Sequence, residues 1–146
     1  TTGIQALDLV GRKLLRDRGR TLAELHRCVD QTLTRARARP RLVPLADALA
    51  QVWLELDEVV ALLLHDRAPS TAMATPLLWA FGHAVVGWLW LDMALLCGGQ
   101  SPFERGKLAA AHAFFSYELP RIGPWLQAVR GGDSLLALTT NDCFHP

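Results

Sequence analysis

Five histidines, three cysteines and the acids Glu55, Asp57 and Glu58 are the side chains whose types could do chemistry in this 146-residue sequence. A di-iron centre inside a helical bundle needs Glu-x-x-His twice, because that step sets two ligands one helical turn apart. The pattern is absent: Ala23, Leu62, Ala80 and Ala109 stand three residues before His26, His65, His83 and His112. His83 and His112 could face each other across two helices, but a core or rim histidine with one hydrogen bond is the simpler expectation. Glu55, Asp57 and Glu58 alternate with apolar residues as a solvated helix face does, so acid–base catalysis is not expected there. Gly106-Lys107 fails as the end of a phosphate-binding loop, since Ser101 replaces the required first glycine and Leu108 the required Ser or Thr. Cys28, Cys97 and Cys143 are far apart, odd in number and without C-x-x-C spacing, which suggests neither a disulfide framework nor a zinc site and points to a reducing cytoplasm.

Trp79, Trp88 and Trp90 fall on one helix and Trp53 and Trp125 elsewhere; core or interface packing explains them better than ligand stacking. Asp92 is the unusual polar residue. Buried alone it would be costly, so an Arg partner from another helix or a place at the surface is expected. Asp92 also bears on membrane insertion, because residues 76–97 hold only His83 and Asp92 as strongly polar groups over a length that could cross a bilayer. A carboxylate near the bilayer centre costs about 2.5–3.5 kcal/mol, and no basic flank marks a cytoplasmic side. A core helix buried on most faces is therefore expected, without a membrane span.

Hydrophobic residues make up 51% and charged residues 20%, which excludes a disordered class. The net charge of +1 hides an asymmetry: residues 1–41 hold ten of the fifteen Lys and Arg, giving +6 there and −5 in the rest. Clustered cations can contact nucleic acid by displacing counterions from phosphates, although basic residues at helical spacing more often form a solvated face or meet an acidic neighbour.

The elements that must position these groups are all helical. Apolar residues recur at three- and four-residue steps and nothing calls for a strand. A first helix is expected from about Ile4 to Leu15, with Ile4, Leu7, Val10 and Leu14 on one stripe and Gly19 as the stop. Thr21-Leu-Ala-Glu24 reads as a capping box opening a second helix that Pro40 ends, with Leu22, Leu25, Val29, Leu33 and Ala36 inward. A third runs from Pro44 to about His65 on Leu45, Leu49, Val52, Leu56, Val59 and Leu63. After the connector 67–71, a fourth spans about Ala72 to Cys97 and Gly98-Gly99 ends it. Ser101-Pro-Phe-Glu104 caps a fifth, with Phe103, Leu108, Ala111, Phe114, Phe115 and Leu119 apolar, which must bend or stop at Pro120 before Ile122–Arg130 resumes. Short connectors between long helices predict an all-α fold: an antiparallel four-helix up-and-down bundle preceded by one linking helix.

Gly3-Ile-Gln-Ala-Leu-Asp-Leu-Val-Gly-Arg-Lys13 resembles the segment that follows the catalytic loop of flavin-dependent acyl-CoA dehydrogenases, where Tyr-Glu-Gly-Thr-x-x-Ile-Gln runs into a helix. Later landmarks resemble the extra C-terminal helical domain of the subgroup that includes the 3-methylmercaptopropionyl-CoA dehydrogenases. They are Gly87-Trp88-Leu89, Lys107-Leu-Ala109 with Phe114-Phe115, Leu119-Pro120-Arg121, and Asp133-Ser134-Leu-Leu-Ala137-Leu138. The first motif is sharp and the others are loose.

The resemblance implies that residues 1–19 are the last helix of the catalytic domain and 20–146 the C-terminal bundle. It implies a chain that starts just past the catalytic glutamate, with Thr1, Thr2 and Gly3 as the last residues lining the FAD nucleotide. Gly3 replaces a residue that is polar in many members, leaving backbone contact only. The parent would oxidise acyl-CoA with FAD, pass electrons to an electron-transfer flavoprotein, and form a homodimer or homotetramer. This chain alone would lack the base and most of the flavin site, and so be inactive. The alternative is a free-standing helical module whose basic amino-terminal third binds nucleic acid.

Overall fold

Prolines and glycines punctuate this chain where the helices must turn, and the computed structural model, which describes residues 3–16, 20–65 and 73–131, follows them closely. Helix α1 covers Ile4–Asp8 and continues as a wider π-helical segment, Leu9–Arg16. Helix α2 is Arg20–Arg37, beginning one residue ahead of Thr21. Pro40 opens a 3-10 turn, Pro40–Leu42, which leads into α3, Val43–His65, with Pro44 in its first turn. Helix α4 is Ala74–Leu96 and α5 is Pro102–Ala113. The described residues contain no strand. Thr1, Thr2, the stop at Gly19, the connector 67–71, Ala72 and the landmark Asp133–Leu138 lie outside the described residues.

Between α4 and α5, Gly99 adopts a left-handed φ of 82°, the conformation a glycine reaches without a Cβ penalty. Ser101 then caps α5 as expected: its hydroxyl accepts the Glu104 backbone N–H at 3.2 Å. The Glu104 carboxylate reaches back one residue further than a standard capping box, accepting the Gln100 N–H at 2.7 Å.

Pro120 bends the fourth member of the bundle without breaking it. A proline ring in a continuing α-helix would collide with the carbonyl four residues before it and could donate no hydrogen bond. Residues 102–131 stay helical by changing pitch, from α5 to a π turn at Phe114–Glu118, a 3-10 turn at Leu119–Arg121, and then α6, Ile122–Gly131.

The architecture is a linking helix followed by a four-helix bundle, with α4 at its centre touching α1, α2, α3, α5 and α6. Leu42, Leu49 and Leu56 from the α3 side meet Leu77 and Leu91 of α4 and Ile122 and Leu126 of α6, all fully buried. Burying each such side chain stabilises the fold by about 1.5–3 kcal/mol. The expected stripes of α2 and α3 are the ones buried or half-buried, joined by Trp53, Val60 and Thr32.

Three expectations need correction. In α1 the inward row is Ala6, Val10 and Leu14, while Ile4 is 67% exposed and Leu7 also faces out, because the wider winding after Asp8 brings every fourth residue onto one side. Phe103 is 72% exposed in the first turn of α5, beside the Lys107 ammonium 5.4 Å from its ring centre. And α4, although central, is buried along one side only: Trp79, Val86, Leu89 and Leu96 are exposed. By length and composition this helix could cross a membrane, and a third of its most apolar window is buried in the domain.

Gly87 explains how the bend fits against α4. A Cβ there would stand 2.9 Å from Leu119 Cδ1, 3.2 Å from Leu49 Cδ1 and 3.5 Å from Phe114 Cε1. Overpacking of this kind costs about 1–3 kcal/mol, more than the roughly 1 kcal/mol a helix gains from Gly→Ala. We expect Gly87→Ala to lower stability by about 1 kcal/mol and Gly87→Val by about 3 kcal/mol. Gly106 in α5 has open space at its Cβ position, so Gly106→Ala should add about 0.5–1 kcal/mol. Urea unfolding midpoints check the contrast, and a shift of the same sign for Gly87→Ala and Gly106→Ala would contradict it.

Candidate functional site

The expected flavin contact, Gly3, sits at the N-terminal end of α1 with a left-handed φ of 68°, and its carbonyl accepts the Leu7 N–H at 3.0 Å. Its Cβ position is 3.8 Å from Thr75 Oγ1 at the start of α4, so the linking helix is seated on the fourth helix. As a glycine it offers only backbone groups to a ligand. Neither groove described below touches it.

A cluster that spacing did not reveal lies between α2 and α3. His26 Nε2 is 3.2 Å from Asp57 Oδ1, near enough for an ion pair when the imidazole is protonated. The direction fails for a hydrogen bond, however, and His26 Nε2 and the buried Trp53 Nε1 have no hydrogen-bond partner. The His26 and Trp53 rings meet edge-on at 5.1 Å, and Trp53 meets Phe81 of α4 at 5.7 Å. Leu22, Ala23, Val60, Ala61 and Leu64 complete an open groove of about 300 Å³ with His26 and Asp57. Burial pushes the Asp57 carboxyl up from its ordinary value; the His26 charge opposes this and Asp30 adds to it. Among the described residues the lining holds no Ser, Thr or Cys beside the pair. Glu55 and Glu58 do not join it: Glu55 accepts a hydrogen bond from Gln51 and Glu58 pairs with Arg130 at 2.9 Å.

Asp92 has the partner expected of it. Arg35 of α2 lies 3.3 Å from its Oδ1, and Thr32 donates to the same oxygen at 3.4 Å. Trp88 Nε1 donates to Thr32 Oγ1 at 2.9 Å, so a chain of polar groups ties α2 to α4 around Thr32, the one buried polar side chain among the described residues.

His83 is a rim histidine. Its Nδ1 is 3.2 Å from the Trp79 carbonyl and its Nε2 3.5 Å from Glu118, with Trp125 edge-on at 4.7 Å. His112 is exposed, and no His83–His112 contact joins them. Among the described residues no group of three or more His, Cys, Asp or Glu is placed to hold a metal ion.

The basic amino-terminal third is largely committed to the fold. Arg12 pairs with Asp8, Arg27 with Glu24 and Arg37 with Asp47. Arg39 donates to the Leu95 carbonyl and Arg41 to those of Cys97 and Gly98. Those carbonyls close the C-terminal end of α4, where unpaired oxygens and the helix dipole favour a cation. Part of the charge asymmetry thus has a structural cause: Arg35, Arg37, Arg39 and Arg41 serve acids and carbonyl oxygens beyond the first third, whereas Arg12 and Arg27 pair within it.

These features define an all-α bundle domain with a linking helix. The sequence model of one family, described as "Acetyl-CoA dehydrogenase C-terminal like", matches residues 21–139, and the chain belongs to that family. A 3-methylmercaptopropionyl-CoA dehydrogenase of Ruegeria pomeroyi is 33% identical over 93% of this chain. The chain spans about a quarter of that relative's length. No solved structure matches it significantly.

The raised Asp57 carboxyl gives a signed pH effect. The folded state holds this proton more tightly than the unfolded state, so wild-type stability falls as pH rises from about 3.8 through the folded value. Asp57→Asn removes that loss. The stability difference between variant and wild type should move in the variant's favour across this window, measured by urea unfolding at a series of pH values; a flat or opposite trend would contradict the assignment.

Proposed function

We propose that this chain is the C-terminal structural and assembly domain of a FAD-dependent acyl-CoA dehydrogenase that forms the α,β double bond of an acyl-CoA thioester. The observation that carries the reading is homology, across nearly the whole chain, to a quarter of a 3-methylmercaptopropionyl-CoA dehydrogenase. Residues 1–19 form the last helix of the catalytic domain and 20–146 the accessory bundle; the family match starting at residue 21 supports that division. The catalytic base and most of the flavin site belong to polypeptide outside these residues. FAD would supply the hydride acceptor for that oxidation, and of this chain's residues only Thr1, Thr2 and Gly3 would adjoin it.

Within this chain the contribution is positional. Thr1, Thr2 and Gly3 form the rim of the nucleotide site, Gly3 through its backbone alone. The row Ala6, Val10 and Leu14 fixes that rim to the bundle. The partners are the rest of the polypeptide, acyl-CoA, an electron-transfer flavoprotein and further subunits of a homodimer or homotetramer. The compartment is the cytoplasm, where Cys28 and Cys97 remain free thiols, as they are in the fold.

Two preparations test this. The full-length polypeptide should carry FAD at one per chain and reduce an electron acceptor with an acyl-CoA, while residues 1–146 alone should show neither flavin absorbance nor turnover. Stoichiometric FAD with turnover in the short chain would overturn the placement of the active site. A full-length polypeptide without Tyr-Glu-Gly before Thr1 and without flavin would overturn the reading altogether.

A further inference from the structure

The outer side of α4 carries a long apolar row, which the described elements touch at Trp79, where Trp125 of α6 lies 5.8 Å away ring to ring, and otherwise leave largely open. Trp79, Gly82, Val86, Leu89, Met93 and Leu96 follow one another at three- and four-residue steps, which places them along one side of a helix. Trp79 is 51% exposed and Leu89 52%. Val86, Leu89, Trp90 and Met93 line a groove of about 230 Å³, and nothing lies within 4 Å of the Cβ position at Gly82. The row holds no charged residue, and the Lys107 ammonium stands 6.0 Å from the ring centre of Trp90 at its edge. Scattered exposed leucines are ordinary on a protein surface, but a continuous row marks an interaction site.

Two observations identify the occupant. Gly3 stands against Thr75, the residue one turn before Trp79 on the same side of α4. Gly3, the first described residue, therefore lies at one end of this row. The exposed parts of Trp79, Val86, Leu89 and Leu96 also amount to an area on the order of 400 Å², about half of what each partner buries in a stable complex of separate chains. A patch of that size binds weakly in trans, whereas a tethered segment meets it at an effective concentration in the roughly millimolar range.

We infer that the α4 row is the docking face for the polypeptide that precedes Gly3 in the full-length protein, which covers it with an apolar surface of its own. The inference rests on the reading of this chain as a C-terminal domain. Docking at this face, with α1 as the tether, holds the bundle in one orientation to the body that carries the flavin.

Hydroxyl-radical footprinting of the full-length protein tests it, with labelling rates at Trp79, Leu89 and Met93 read in the native and urea-unfolded states. Docking predicts native rates of roughly a tenth or less of the unfolded ones, as in a buried interface core. An uncovered face predicts about half at Trp79 and Leu89, in line with their exposure, and that result overturns the proposal. In full-length Leu89→Asp, whose changed side chain lies outside the core, Trp79 labelling should rise about fivefold with helical circular dichroism unchanged. Protection that vanishes when an oligomer dissociates assigns the face to a second copy and overturns the inference. Protection that requires added phospholipid vesicles assigns it to lipid and does the same. The functional reading is tested separately: a protected face in a full-length protein without flavin keeps the docking and sinks the dehydrogenase, and an exposed face in a flavin-loaded protein does the reverse.

Discussion

At Gly87 the backbone of α4 comes so close to Leu119 and Leu49 that a single Cβ would push on their methyl ends, with Phe114 in ordinary contact beside them. Three elements converge there: α3 through Leu49, α4 through its own backbone, and the bend after α5 through Phe114 and Leu119. The approach needs both a missing side chain on α4 and a change of pitch after α5. Pro120 supplies the second, because the ladder of α-helical hydrogen bonds cannot pass through it. The π turn it forces brings Phe115 into the core, and α6 then packs along α4 and α3. Substituting either residue therefore acts on the same joint, and their effects should be coupled rather than additive.

The C-terminal end of α4 is held electrostatically. Arg39 and Arg41 reach from the α2–α3 turn to the carbonyls of Leu95, Cys97 and Gly98, where the helix runs out of its own donors. Midway, Trp88, Thr32, Asp92 and Arg35 form the chain of polar contacts that ties α2 to α4. The exposed ion pairs contribute little individually. Their arrangement sets register, since Thr32 can satisfy Trp88 in only one alignment of the two helices.

Much of this was legible from local rules. The prolines at 40, 44, 102 and 120, the Ser101 cap, the glycines after α4 and the inward stripes of α2 and α3 obey constraints acting within one or two turns. The phase of α1 was not legible, because widening to a π-helix changes which residues share a face and leaves no mark in a pattern read at 3.6 residues per turn. Nor was the His26–Asp57–Trp53 cluster. Asp57 looks like one more acid of a solvated face until α2 sets His26 against it, and that juxtaposition depends on packing between helices. The apolarity of α4 suggested a helix buried nearly all round, yet periodicity cannot separate a face covered by this domain from one awaiting a partner. Residues of three of the loose family landmarks meet at one place: a Cβ at Gly87 would lie 2.9 Å from Leu119 and 3.5 Å from Phe114.

Under the proposed function the bundle serves as a support for chemistry carried elsewhere in the parent, and its packing converges on the Gly87 joint. Nuclear Overhauser spectroscopy on methyl-labelled protein tests that joint most directly. The account predicts strong cross-peaks from the Gly87 α-protons to a Leu119 methyl and to a Leu49 methyl, reporting the close approach of α3, α4 and the bend. Absence of both, with the Leu119 methyls contacting other residues of α4 instead, would contradict the packing on which the whole account is built.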